Sequence, residues 1–228
     1  MHFLSTDYWQ QDQHGNESGL LLQQYVCEGV CLHFSCVCRG QGGDRAGGYM
    51  TEQLLRWFRE ISLKRLTRKP EKALEEAQVG LRKVILRTDD ELADAGLAGD
   101  RTAGTGATAL AGVFCAGEDF FYFCRGGQRI YFINTGFGHA HIRWLGAEGG
   151  GLFFQRGILQ PDIGLLFAVD SFWEHVSEKM IKEGLFVREV VTEEQMRRHL
   201  NELGEEAQRR GGKDMAAIFV RTVRQIEG

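Results

Sequence analysis

The chain has almost no proline, two residues in 228, and although glycine is abundant at 30 residues it shows no Gly-X-Y period and no low-complexity tract. Collagen-like and disordered tail-like readings are excluded on that basis. No apolar run approaches the roughly 18 residues that a membrane-spanning helix requires. Excess positive charge is missing too: net charge is −4 and pI about 6.0, so nothing points to nucleic-acid backbones or anionic membranes. The opening residues, Met1 to Asp7, lack the basic and apolar regions of a signal peptide. The expected compartment is the cytoplasm, where the six cysteines would stay reduced.

What is present reads as one domain spanning residues 1–228, with 43% hydrophobic content for one sizeable core. Residues 20–26 and 30–38 pattern as strands, the second with Leu32, Phe34 and Cys36 alternating. Glycines 40, 42, 43, 47 and 48 read as a turn. From Tyr49 the period becomes helical, with Met50, Leu54, Leu55, Trp57, Phe58 and Ile61 recurring at three and four. Pro70 suits the start of a second helix carrying Ala73, Leu74, Ala77, Leu81, Val84 and Ile85 on one stripe, with weaker helix to Gly96. A loop over 99–106 precedes strands at 107–116, 120–124, 129–134, 139–145, 152–155 and 165–169. A helix over 172–184, a second one capped by Thr192 and Gln195 and running to Arg209, and a last strand at 216–221 complete the chain. Periodicity alone gives an α+β domain with antiparallel sheet.

The segment Cys38-Arg39-Gly40-Gln41-Gly42-Gly43 stands where a strand runs into a glycine turn and then a helix. It resembles the Asp-Gly-x-Gly-Gly signature of the metal-dependent serine/threonine protein phosphatases (the PPM or type-2C family), with Arg39 in the aspartate's place. Further landmarks follow in the family's order. Asn16-Glu17-Ser18-Gly19 resembles its Asn-Glu-Asp-Ser opening, and Gln13 stands where a phosphate-binding arginine is usual. Gly104-Thr105-Gly106-Ala107 resembles a Gly-Thr-Thr-Ala strand start, and Gly126-Gly127-Gln128-Arg129 a Gly-Asp-Ser-Arg turn without its acid. Val169-Asp170-Ser171-Phe172-Trp173 is similar to Ser-Asp-Gly-x-Trp, and Lys213-Asp214-Met215 to Lys-Asp-Asn. The resemblance implies a four-layer α-β-β-α sandwich of two mainly antiparallel sheets flanked by helix pairs.

It also implies a site. In the family, acids from separate strand ends hold two Mn2+ or Mg2+ ions, hard cations that demand oxygen ligands. Here the corresponding positions are Glu17, Ser18, Arg39, Gly40, Asp170 and Asp214, and a permanently protonated arginine cannot ligate a cation. The expectation is a guanidinium forking between Asp170 and Asp214 in place of the metals, worth roughly 3–5 kcal/mol if buried. The alternative is an Arg39 that points to solvent. The function implied is an inactive, pseudophosphatase-like regulatory or binding module for a phosphoprotein or protein kinase, without a resident metal. The alternative function is an atypical phosphoserine/phosphothreonine phosphatase using Glu17, Asp170 and Asp214 with one Mn2+ or Mg2+, weakly held at Asp170 and Asp214.

Other residues invite chemistry less strongly. Cys27, Cys31, Cys36 and Cys38 lie close in sequence, but their spacing matches no common zinc knuckle, and Cys36 and Cys38 share one strand face. Small core residues are the plainer reading. His139 and His141 share a face as a surface or cross-strand pair, and His175 lies near the site without an assigned role. Ser171 lacks the glycine elbow of a serine hydrolase.

Overall fold

The computed structural model describes residues 2–11, 18–27, 30–40, 44–61, 70–97, 108–126, 128–134, 141–145, 151–160, 163–185 and 193–224. Two five-stranded sheets form. One is ordered β1 (His2–Gln10), β10 (Ala216–Arg224), β9 (Ile163–Ala168), β6 (Arg129–Asn134), β7 (His141–Trp144). The other runs β2 (Ser18–Cys27), β3 (Val30–Gly40), β4 (Thr108–Ala116), β5 (Asp119–Arg125), β8 (Phe153–Ile158). Every strand pairing among the described residues is antiparallel.

Side-chain parity explains the layers. Leu32, Phe34, Cys36 and Cys38 of β3, with Leu110 and Phe114 of β4, pack beneath α1 (Asp44–Glu60) and α2 (Pro70–Asp94). Val37, Ala111, Val113 and Cys115 point the other way, into a second core shared with Ile130, Phe167 and Ile218 of the facing sheet. Strand β4 is buried at all nine positions because both its faces are covered, so it reads as a continuous apolar run. Under α1, Phe34 stacks on Phe58 at 5.7 Å and meets Trp57 edge-on at 5.3 Å, an arrangement that aromatic quadrupoles favour. On the outer side of the first sheet, α4 (Glu178–Leu185) packs with α5 (Glu193–Arg209), and α5 lies on β1. The result is the α-β-β-α layering expected above.

Three elements depart from the sequence reading. Strand β1 was not anticipated, because Asp7 is buried while Tyr8 is exposed, the reverse of ordinary amphipathic patterning. Helix α1 begins at Asp44, so Gly47 and Gly48 are helical rather than part of a turn. Helix α1 crosses β2 so closely there that a Cβ at Gly19 would collide with Thr51 and the Gly47 carbonyl. The helix expected over 172–184 is two, α3 (Asp170–Trp173) and α4, because Ser177 accepts a hydrogen bond from the Met180 N–H and starts a new helix. The 99–106 loop, the Thr192 cap, Gly42, Gly43 and His139 lie outside the described residues, as does the side chain of His141. No helix among the described residues is long and apolar enough to cross a membrane.

A polar seam crosses the inter-sheet core. His33 is 3% exposed; its Nε2 lies 2.9 Å from Ser35 Oγ and 3.4 Å from Thr6 Oγ1 of the facing sheet. Burial pushes the His33 pKa down from 6.5 to about 4. Below pH 6.5 the unfolded chain therefore takes up a proton that the folded chain refuses. Stability associated with neutral His33 is complete above pH 6.5 and is lost as pH falls toward 4, by about 3 kcal/mol in total. Urea unfolding of wild type and His33→Gln at pH 7.5 and 4.5 checks this: the variant should lose distinctly less stability across that interval.

Candidate functional site

Three strand ends converge at one edge of the sandwich. Arg39 is the next-to-last residue of β3, directly opposite Ser18 of β2 and Ala109 of β4, on the face that looks toward the other sheet. Asp170 follows β9 as the first residue of α3, and Asp214 lies two residues before the start of β10. Strands β9 and β10 pair with Ala168 opposite Ala217, and the Val169 N–H donates to the Ala216 carbonyl at 3.1 Å. That pairing makes neighbours of two acids 44 positions apart in sequence.

The Arg39 guanidinium donates through Nη1 to Asp170 Oδ1 at 2.6 Å. The same oxygen accepts the Ser171 backbone N–H at 2.9 Å. Asp214 enters differently from the expected fork. Its main-chain carbonyl accepts the Ser18 hydroxyl at 2.7 Å and the Ser171 hydroxyl at 3.1 Å, and among the described residues no hydrogen bond links its carboxylate to Arg39. Asp214 sits at φ 52°, a left-handed conformation that is uncommon outside glycine, and the two hydroxyls pin its peptide there. The side chains of Arg39 and Asp170 are 26% and 48% exposed, so the buried-pair premise does not hold. Water screens such a pair, and its contribution falls to about 1 kcal/mol or less despite the short bond.

Gln11 ties the floor of the site to its neighbours: its N–H donates to the Met215 carbonyl at 3.0 Å and its Nε2 to the Gly212 carbonyl at 3.5 Å. His175 borders the same turn, since a Cβ at Gly212 would come 2.9 Å from its ring. Gly40 is buried at the end of β3, paired with Thr108. Gln13 and Glu17 lie outside the described residues.

One charged group went unread in the sequence. Arg125, at the end of β5, is bidentate to Asp89 of α2: Nη1 reaches Oδ2 and Nη2 reaches Oδ1 at 2.9 Å, with side-chain exposures of 2% and 9%. Its Nε also donates to the Thr108 carbonyl at 2.9 Å and its Nη2 to the Thr108 hydroxyl at 2.8 Å. Arg125 and Asp89 lie 36 positions apart, and neither belongs to a motif that would mark it. Next to this pair, Cys36 and Cys38 touch at 3.9 Å beneath α1. A hydrogen bond from Cys36 draws the Cys38 thiol down, with help from Thr51 and the Arg125 charge, whereas burial pushes Cys36 up. Cys31 points to the opposite face of the strand from Cys36 and Cys38, and the side chain of Cys27 is outside the described residues. Among the described residues, no three His, Cys, Asp or Glu side chains converge as a metal would need.

No known family model matches the chain, and no curated protein matches its sequence. Solved structures do. A bacterial serine phosphatase superposes with a TM-score of 0.72 at 12% identity, covering 99% of this chain and 100% of that one. The serine/threonine phosphatase Stp1 from Staphylococcus aureus gives 0.70 at 15%, covering 98% and 96%. The catalytic domain of the serine/threonine protein phosphatase PstP, solved with two manganese ions, gives 0.64 at 16%, covering 98% and 100%. These neighbours are PPM-type phosphatases, and this chain has their α+β fold of two antiparallel sheets and flanking helices.

The two ion pairs separate cleanly by burial, and denaturation can rank them. Arg125→Ala should cost about 3–5 kcal/mol, because it strands a buried carboxylate. Arg39→Ala should cost about 1 kcal/mol or less. Midpoints of chemical unfolding in the absence of divalent ions decide the order, and a larger loss for Arg39→Ala would contradict the exposure-based assignment.

Proposed function

We propose that this chain is a phosphatase-fold protein whose two-metal site has been replaced by protein side chains, and that it works as a catalytically inactive regulatory or binding module. The single observation that carries this reading is the 2.6 Å bond from Arg39 to Asp170. A fixed cation about 4 Å from a dication opposes it by several kcal/mol even at an effective dielectric near 20. The donor set is wrong in kind as well. Ser18 stands in an acid's position and donates its hydroxyl proton to the Asp214 carbonyl, which also accepts the hydroxyl of Ser171, a residue in a glycine's position. A hydroxyl is a poor substitute for the carboxylates that hard divalent ions prefer. A pair of dications therefore does not fit these residues.

On this reading the three departures at Ser18, Arg39 and Ser171 act as one unit. Arg39 satisfies Asp170, while the two serines hold the turn carrying Asp214 in its left-handed conformation. Together they secure the strand ends that ions would otherwise bridge. The module would comprise one domain over residues 1–228 and act in the cytoplasm on a phosphoprotein or a protein kinase. That assignment draws on the neighbours, among which PppA is described as a key regulatory component of a type VI secretion system in Pseudomonas aeruginosa.

A second reading has one observation in its favour: Asp170 is 48% exposed, so water and an ion can reach its carboxylate. On that reading Asp170, Asp214 and Glu17 hold a single Mn2+ or Mg2+, and the chain hydrolyses phosphoserine or phosphothreonine.

Calorimetric titration with Mn2+, paired with a p-nitrophenyl phosphate assay, separates the two. The inactive reading expects no binding tighter than millimolar and no turnover above background. Micromolar binding, with turnover that vanishes in Asp170→Ala, would reject it. Arg39→Asp should tighten Mn2+ binding at least about tenfold, since it removes the opposing charge and adds an oxygen donor.

A further inference from the structure

The outer edge of β1 carries a surface that the site above does not use. Strand β1 ends its sheet; its inner edge pairs with β10 along all nine residues, from His2 opposite Arg224 to Gln10 opposite Ala216. Among the described residues no strand occupies its other edge. An open groove of about 530 Å³ lies there, lined by residues 6–10 of β1 and by Arg197 and Asn201 of α5. Successive residues of a strand point to opposite faces, so a groove lined by five consecutive residues follows the edge of the strand and not either face. Asp7 and Trp9 lean toward α5, and Thr6 and Gln10 lean toward the second sheet.

The helix sets the width. Trp9 fits against Gly204, where a Cβ would collide with the indole, and this close seat keeps α5 over the edge strand as a wall. Arg197 and Asn201, one turn apart, face the groove from that wall. A second copy pairing through β1 would place its own α5 one strand spacing away, about 4.8 Å, whereas packed helix axes need about 8–10 Å. A lone extended segment brings no helix and meets no such obstacle. We propose that this groove is a docking site for an extended peptide that adds to β1 as a further strand of its sheet and sets a carboxylate side chain beside Arg197.

The chemistry of the groove matches that occupant. The edge offers main-chain donors and acceptors along about 17 Å, the length of five strand residues, and an extended polypeptide repeats them in step. Strand β1 contains neither lysine nor proline, the residues that usually guard an edge against pairing. Tyr8, 54% exposed, supplies an aromatic surface for a side chain of the incoming strand. Arg197 is 64% exposed and stands 3.7 Å from Asp7, itself 5% exposed, so the outward side of the guanidinium remains open to a partner's carboxylate. Gln10, at one end of the groove, donates to the Ser18 carbonyl at 3.1 Å and links the edge to the neighbouring site. The proposal stands whether or not that site is catalytic.

The test is an NMR titration of the full chain with a blocked nine-residue peptide, acetyl-Ser-Thr-Val-Thr-Glu-Thr-Val-Thr-Ser-amide. Submillimolar binding is expected, with shifts concentrated at the amides of residues 6–10 and around Arg197. Methylating alternate peptide nitrogens should abolish it. Exchanging the central glutamate for lysine should weaken it about fivefold, and Arg197→Glu should reverse that preference. No shift at about 1 mM peptide, equal binding of the N-methylated peptide, or shifts at another surface would each overturn the proposal. So would β1 shifts that follow protein concentration without peptide, the signature of a second copy on this edge.

Discussion

Strand β10 pairs with β9 on one side and with β1 on the other, and almost everything distinctive about this molecule follows from that position. Its residues from Ala216 to Val220 are buried, packed between the helices outside and the second sheet inside. With Ala168 held opposite Ala217, the turns leaving β9 and entering β10 cannot separate, so Asp170 and Asp214 share one edge. Strand β3 of the other sheet meets that edge from across the core and delivers Arg39. The same strand β10 presents β1 as the last member of its sheet, which leaves an edge beside α5.

Burial decides what each charge in this molecule can do. Arg125 and Asp89 form a bidentate pair shut away from water, so their role is architectural: they join α2 to the end of β5 and to the start of β4. Arg39 and Asp170 form a shorter contact in the open, where solvent screening leaves little net stability. The consequence of that pair is chemical. It fixes a guanidinium at the edge where three strand ends meet and engages one oxygen of the Asp170 carboxylate.

The legible parts of the sequence were those governed by local pattern. Leu32, Phe34 and Cys36 announced β3, and the stripe from Ala73 to Ile85 announced α2, because each alternation reports a buried face. The resemblance of the glycine turns and acid-ended strands to one family's landmarks, taken in order, implied the sandwich fold and brought Ser18, Arg39, Asp170 and Asp214 under suspicion together. Strand β1 escaped because Asp7 is buried against α5 and Tyr8 is exposed, which inverts the pattern a strand normally shows. Gly47 and Gly48 read as a turn since glycine weakens isolated helices, yet both lie within α1. Ser177 was the overlooked local signal, a side-chain cap that divides one apparent helix into two.

Local periodicity, carried by the chain itself, was sufficient for the α+β class and for most strands, and the family resemblance added the expectation that a permanent cation, Arg39, stands where an acid is usual. Where that cation points was a matter for the folded molecule. Side-chain partners 131 positions apart are chosen by how two sheets meet, and no pattern along the chain encodes the distance between them. Tertiary structure likewise decided that Asp214 contributes its carbonyl, that the Arg39 pair is open to water, and that Arg125 finds Asp89. Each of those outcomes depends on burial and on long-range register, which exist only once the layers have packed.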